Sequence, residues 1–160
     1  MLIQLLFGFS KLRPYEKLCL EAFKEHLSPA AAEILQKQLE MHDYVKRKCK
    51  DKLVIFYCLK NPAYQNWPLD IKFPMRDEDI SVAQIFLNVK EKEKSFDIRA
   101  DIYLHMGRLC SIEFNESPKF AKNAKIEVNR VWILADPMAS RSVKTIPQQA
   151  DNSYRRPANL

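Results

Sequence analysis

Between residues 81 and 115, apolar and polar side chains alternate almost without a slip, the period-two signature of half-buried β-strands. Gly107, one of two glycines in the chain, falls where a turn is required. The stretch predicts an antiparallel meander with one apolar and one polar face. With His105-Met106-Gly107 as a three-residue hairpin loop and Gly107 at positive φ, Ile102 falls opposite Cys110, Ala100 opposite Ile112 and Ile98 opposite Phe114. On the polar face Tyr103 then meets Leu109, Asp101 meets Ser111 and Arg99 meets Glu113. A two-residue loop at Met106-Gly107 would mix the faces, which favours the longer loop. The preceding turn, around Glu91-Lys92-Glu93-Lys94, closes tightly if Val89 pairs with Phe96, Leu87 with Ile98 and Ile85 with Ala100.

Upstream the period changes. Tyr15, Leu18, Cys19, Ala22, Phe23, His26 and Leu27 follow helical spacing and predict an amphipathic helix beginning near Pro14. Ser28-Pro29 supplies an N-cap and a first-turn proline for a second helix, with Ala32, Leu35 and Leu39 as its buried stripe and Ile34 and Met41 beside it. Tyr44 to Lys48 and Leu53 to Leu59 read as strands joined near Lys50-Asp51-Lys52. The second is apolar on both faces, as expected of a central, covered strand. Residues 61–74 hold three prolines and read as a long irregular loop, a candidate functional loop pinned by Trp67. Lys125 to Leu134 is a last extended segment. The prediction is an α+β domain over residues 1–136: an N-terminal helical hairpin on one face of an antiparallel meander sheet of about five to six strands. Residues 137–160 are polar and predict a disordered basic tail.

Charge refines this picture. The chain of 160 residues carries 26 basic and 20 acidic residues, a formal +6. Beyond Asp136 the basic residues are Arg141, Lys144, Arg155 and Arg156, against Asp151 alone. The body is therefore nearly balanced, which weakens a nucleic-acid reading based on bulk charge. The N-terminal Met-Leu-Ile-Gln-Leu-Leu-Phe-Gly-Phe lacks a basic region and a small-residue cleavage site, so it reads as packing on the domain rather than as a signal peptide. Cys19, Cys49, Cys58 and Cys110 form no CxxC pair and read as reduced, mostly buried thiols of a cytoplasmic protein; a disulfide framework or a zinc site is the alternative.

Candidate chemistry is sparse. His26 continues a helix's apolar stripe, and His105 sits at a hairpin loop. There is no nucleophile elbow, phosphate-binding glycine loop or His-Glu-x-x-His. Asp77-Glu78-Asp79 is a candidate cation site or a solvated turn. Asp101 and Glu113 resemble a carboxylate pair, but the register gives Glu113 to Arg99. The basic cluster Lys46, Arg47, Lys48, Lys50 and Lys52 would contact phosphates, or would protect an exposed strand from edge pairing; no row of aromatics alternates with it as a base-stacking platform requires. The meander's polar face carries an unexpected apolar set, Phe86, Tyr103 and Leu109, with Arg99 opposite Phe86 in cation–π range. This is a candidate partner site, unless the chain after Pro118 covers it with Trp132 as a lid.

Phe7-Gly8-Phe9, Phe56-Tyr57 and Tyr103-Leu-His-Met-Gly-Arg-Leu-Cys-Ser-Ile-Glu-Phe-Asn-Glu-Ser-Pro-Lys119 resemble a group of small uncharacterised bacterial α+β proteins with a Gly-Arg-Leu-x-Ser-Ile-Glu-Phe hairpin. The resemblance implies a bacterial cytoplasmic setting and carries over no activity and no catalytic residue.

The resulting expectation is a non-enzymatic protein-binding domain with no cofactor or metal. Its sharpest form is an immunity-type protein that masks a toxin with the partner-binding residues Phe86, Arg99, Tyr103 and Leu109. The alternative is a nucleic-acid-binding accessory protein using the Lys46–Lys52 cluster and the tail.

Overall fold

The computed structural model describes residues 12–61, 63, 66–119 and 124–140. The expectations for the N-terminal segment, including Phe7-Gly8-Phe9, and for the tail beyond residue 140 lie outside these residues. Helices α1 (Pro14–Glu25) and α2 (Pro29–Met41) precede six strands: β1 (Tyr44–Lys48), β2 (Leu53–Tyr57), β3 (Ile80–Glu91), β4 (Lys94–His105), β5 (Arg108–Phe114) and β6 (Lys125–Ile133). The strands form one antiparallel sheet in the order β1-β2-β5-β4-β3-β6. The chain is α+β, as its periodicities predict, with the helices packed on one face of the sheet.

Both helices start as their sequences require. Pro14 and Pro29 occupy first-turn positions, and the Ser28 hydroxyl accepts the Ala31 N–H at 3.3 Å. The buried face of α1 is Tyr15, Cys19, Ala22 and Phe23, joined by Leu20 and Glu16. His26 lies past the helix end and is exposed, its Nδ1 2.8 Å from the Ala22 carbonyl oxygen. In α2 the buried positions are Ala31, Leu35, Gln38 and Leu39. Ala31 therefore replaces Ala32 in the expected stripe, and Gln38 brings a polar group into the core. Its amide nitrogen donates to the carbonyls of Ile71 at 2.8 Å and Gly107 at 2.9 Å, and its oxygen accepts the Leu109 N–H at 2.7 Å. All three backbone groups are thereby satisfied without water.

The β3–β4 hairpin has the predicted register: Val89 faces Phe96, Leu87 faces Ile98, Ile85 faces Ala100 and Phe86 faces Arg99. The β4–β5 hairpin differs. Its loop is Met106-Gly107 alone, both at positive φ (49° and 80°), and His105 pairs with Arg108 and Leu104 with Leu109. The register then shifts, so that Tyr103 faces Ser111, Ile102 faces Ile112, Asp101 faces Glu113 and Ala100 faces Phe114. Cys110 is the extra, bulged residue. The short loop and the bulge together move every partner by two positions beyond the bulge, which leaves Ile112 and Phe114 on the face expected of them. Between loop and bulge the alternation is inverted, and Leu109 turns into the core, where it is fully buried.

β2 is second from the sheet edge rather than central. Val54 and Phe56 are buried, while Leu53 and Ile55 on its other side stay partly exposed. The loop before β3 is pinned as expected: Trp67 is buried with Cys58 and Ile71, its indole donates to the Asn61 carbonyl at 3.1 Å, and Phe73 and Met75 enter the main core. The body also extends past the expected boundary at Asp136. Pro137 is buried, its carbonyl accepts the Met75 N–H at 3.3 Å, and Met138 packs against the core.

Candidate functional site

Because α1 and α2 lie on one face, the opposite face is built by the outward residues of all six strands. One row across it runs Lys46, Ile55, Ser111, Tyr103 and Ser81; the next runs Lys48, Leu53, Glu113, Asp101, Gln84 and Trp132. A third contains Arg99, Phe86 and Arg130. Among the described residues no helix covers these rows.

At the β6 end, Phe86 and Trp132 meet edge-to-face with ring centroids 4.9 Å apart. The Arg130 guanidinium lies 5.6 Å from the Phe86 centroid and 5.2 Å from that of Trp132. Trp132, the expected lid, packs on Phe86 from the neighbouring strand and is itself 47% exposed, so it covers part of the Phe86 ring and adds its own apolar surface to the patch. The guanidinium expected against Phe86 was that of Arg99. Arg99 instead turns along its own strand and donates from Nε to Asp101 at 3.0 Å.

The centre of the face is acidic and hydrogen-bonded. Asp101 also accepts from Gln84 at 2.7 Å, and Asp97 accepts from Asn88 at 2.9 Å. Burial first, then the carboxylates of Glu113 and Asp101, raise the Tyr103 phenol above its ordinary pKa, so its hydroxyl is a donor at neutral pH. Asp101 and Glu113 stand directly opposite each other, which replaces the expected Arg99–Glu113 ion pair. At the far edge Tyr44 and Tyr57 lie side by side with centroids 6.0 Å apart, near Lys46 and Lys48.

Of the four expected partner-site residues, the face brings together Phe86, Arg99 and Tyr103. Leu109 is withdrawn to the core by the bulge. Arg130 was missed as a member of the set, and Trp132 was expected there only as a lid; the contact of each with Phe86 depends on a long-range strand pairing that local periodicity does not report.

The basic cluster is divided by strand alternation. Lys46 and Lys48 project from the outer face and Lys50 lies exposed in the turn, but Arg47 points inward. Its Nε and Nη2 donate to the buried Glu16 carboxylate at 2.7 and 2.6 Å. Arg47 therefore ties α1 to β1 and leaves the patch to lysines. The turn itself holds Cys49, Lys50 and Asp51 at positive φ. Asp51 bonds Arg13, and the Ser117 hydroxyl donates to the Lys50 carbonyl at 2.6 Å.

The remaining candidates for chemistry are dispersed. His42 is buried between Phe56 and Trp67, at centroid distances of 5.5 and 5.6 Å, with Nδ1 2.6 Å from the Gln38 carbonyl oxygen. Burial pushes its pKa down to about 4, so the ring is neutral at pH 7. His105 ends β4 and contacts Asp79 at 3.0 Å. Cys19 and Cys58 are buried, Cys49 is exposed and Cys110 partly exposed, and none is bonded to another. Among the described residues no three His, Cys, Asp or Glu side chains come together to hold a metal. A groove of about 680 Å³ lies at the start of α1, lined by Arg13, Tyr15, Leu18, Asp51, Lys119 and Ile126 among others. No described helix is long and apolar enough to cross a membrane. No family model, curated protein or solved structure matches the chain.

Proposed function

We propose that this is a non-enzymatic binding domain that takes a protein partner on the outer face of its sheet. The observation that supports the reading is a face that no described helix covers, on which Phe86, Trp132, Tyr103 and Ile55 stand amid charges of both signs. Aromatic and arginine side chains set in a polar rim are the usual carriers of protein-interface energy. The sharpest form is an immunity-type protein of a bacterial cytoplasm, which would seat this face over a toxin's active site. The competing reading, nucleic-acid binding, draws on Tyr44 and Tyr57 beside Lys46 and Lys48. Against it, Asp97, Asp101 and Glu113 occupy the middle of the face, where they would repel a phosphate backbone.

The test is affinity capture from the source cells with the parent protein, a Phe86→Ala/Tyr103→Ala variant and a Lys46→Gln/Lys48→Gln/Lys50→Gln variant. The proposal expects one captured protein, lost with the aromatic variant and retained with the lysine variant. If that protein is an enzyme inhibited by this chain, the immunity-type form is supported. Steeply salt-dependent binding of single-stranded DNA or RNA, abolished in the lysine variant, would overturn the reading.

A further inference from the structure

The two edges of the sheet are built differently. β1 is only five residues long, and a very short edge strand resists edge pairing. β6 is nine residues long and pairs only with β3 among the described residues. It also holds a run of exposed apolar side chains, with Trp132 and Ile133 at its end and Leu134 just beyond.

The side-chain pattern of β6 is self-complementary. Lys125 faces Lys90, Glu127 faces Asn88, Arg130 faces Phe86 and Trp132 faces Gln84, so these four lie on the outer face. Ile126 and Val131, opposite Val89 and Ile85, lie on the inner face. Glu127 and Arg130, three residues apart, share a face because Asn129 is bulged: the register shifts between Arg130 opposite Phe86 and Val128 opposite Leu87.

We infer that the outer edge of β6, unpaired among the described residues, joins two copies of this chain, antiparallel, about a two-fold axis between Val128 and Asn129. That axis sets Glu127 of each copy opposite Arg130 of the other, Lys125 opposite Trp132, and Ile126 opposite Val131. Every pair matches in face except Val128 with Asn129 at the bulge. A shift of one residue either way mixes the faces. A shift of two residues in one direction sets Lys125 against Arg130, and in the other sets Glu127 against Trp132. An isologous contact of this kind closes on itself and makes one continuous sheet from two. The Arg130 guanidinium is available for it: within the chain it stacks on Phe86 and Trp132, and no ion pair with a carboxylate is formed among the described residues. Glu127 is held in place for it by Lys90 at 2.8 Å and Lys125 at 2.6 Å.

Sedimentation equilibrium of the full chain, from low micromolar to several hundred micromolar, tests this. The parent should dimerise. Arg130→Glu and Glu127→Arg should each weaken the dimer by about tenfold or more, since each sets like charges face to face twice. The double variant Glu127→Arg/Arg130→Glu should restore association to near the parent value. Circular dichroism checks that each variant is folded, and the double variant serves if a single one is not. A parent that stays monomeric at every concentration, a dimer indifferent to the single changes, or a double variant that is folded but not rescued would each overturn the inference.

Discussion

Arg47 reaches from β1 beneath α1 to the Glu16 carboxylate, donating two hydrogen bonds to a side chain with no exposed surface. Glu16 also accepts the Arg13 N–H at 2.8 Å, which fixes the first turn of the helix. One carboxylate thus joins the helix start to an edge strand. Arg47→Met would leave that carboxylate buried without its cation and should destabilise the domain by about 3 kcal/mol or more. Adding Glu16→Leu should recover much of the loss, because the uncompensated charge leaves with it. Urea midpoints of the two single variants and the double variant measure the coupling; strictly additive losses would refute it.

Gly107 is constrained by its neighbours as well as by its φ of 80°. A Cβ there would collide with the Phe73 carbonyl and the Arg76 guanidinium and would stand 2.9 Å from the Met75 carbonyl oxygen. The glycine's own carbonyl accepts from Phe73 N–H at 2.8 Å and from Gln38, so the loop cannot withdraw without breaking those bonds. Gly107→Val should cost roughly 2–4 kcal/mol, from backbone strain and overpacking together. An unchanged denaturation midpoint would contradict the packing of residues 73–76 over the turn.

What the sequence makes legible, and what it does not, divides along the same hairpin. Alternation from Ser81 to Asn115 specifies the faces of the sheet, because one face is apolar and a one-residue slip would invert it. It is blind to a shift of two, which preserves the faces. The Met106-Gly107 loop with a bulge at Cys110 is such a shift. Leu109, lying between loop and bulge, consequently reads as outward although it is core. Pairing of β6 beside β3 carries no local signal, so Arg130 could not be assigned to Phe86, and Trp132 could be named only as a lid for the patch without a strand partner. Glu16 and Gln38 were illegible for another reason: polar residues on helices read as solvated unless the partner that satisfies them is known. Gln38 serves Ile71, Gly107 and Leu109, which are distant in sequence.

The buried His42 makes stability depend on pH. Its pKa falls from 6.5 to about 4 on folding, chiefly through burial. As pH falls below about 6.5 the unfolded chain takes up the proton first, and the folded state loses stability until the folded pKa is passed. Stability from this group is therefore fully present above pH 6.5 and lost towards pH 4, by about 1.4 kcal/mol per unit and about 3 kcal/mol in all. Urea titrations across that window should show this slope in the parent and a shallower one in His42→Gln. Equal slopes would show that another group governs the acid sensitivity.

Leu109 and Tyr103 give the most direct test of which residues belong to the core and which to the outer face. Leu109 is fully buried opposite Leu104, beside the backbone held by Gln38. Leu109→Ala should cost roughly 2–5 kcal/mol, the loss of apolar burial plus the cavity left behind. Tyr103 stands on the outer face opposite Ser111 and Ser81 and is only partly buried. Tyr103→Ala removes less buried surface and should cost about 1 kcal/mol, on the scale of a cross-strand pair. The two changes separate folding from recognition: the first should lower the melting temperature by several degrees, while the second should leave a folded domain with a weakened partner surface. If Leu109→Ala were tolerated and Tyr103→Ala unfolded the protein, the bulge at Cys110 would be misplaced. The face available to a partner would then be the one the simple alternation describes.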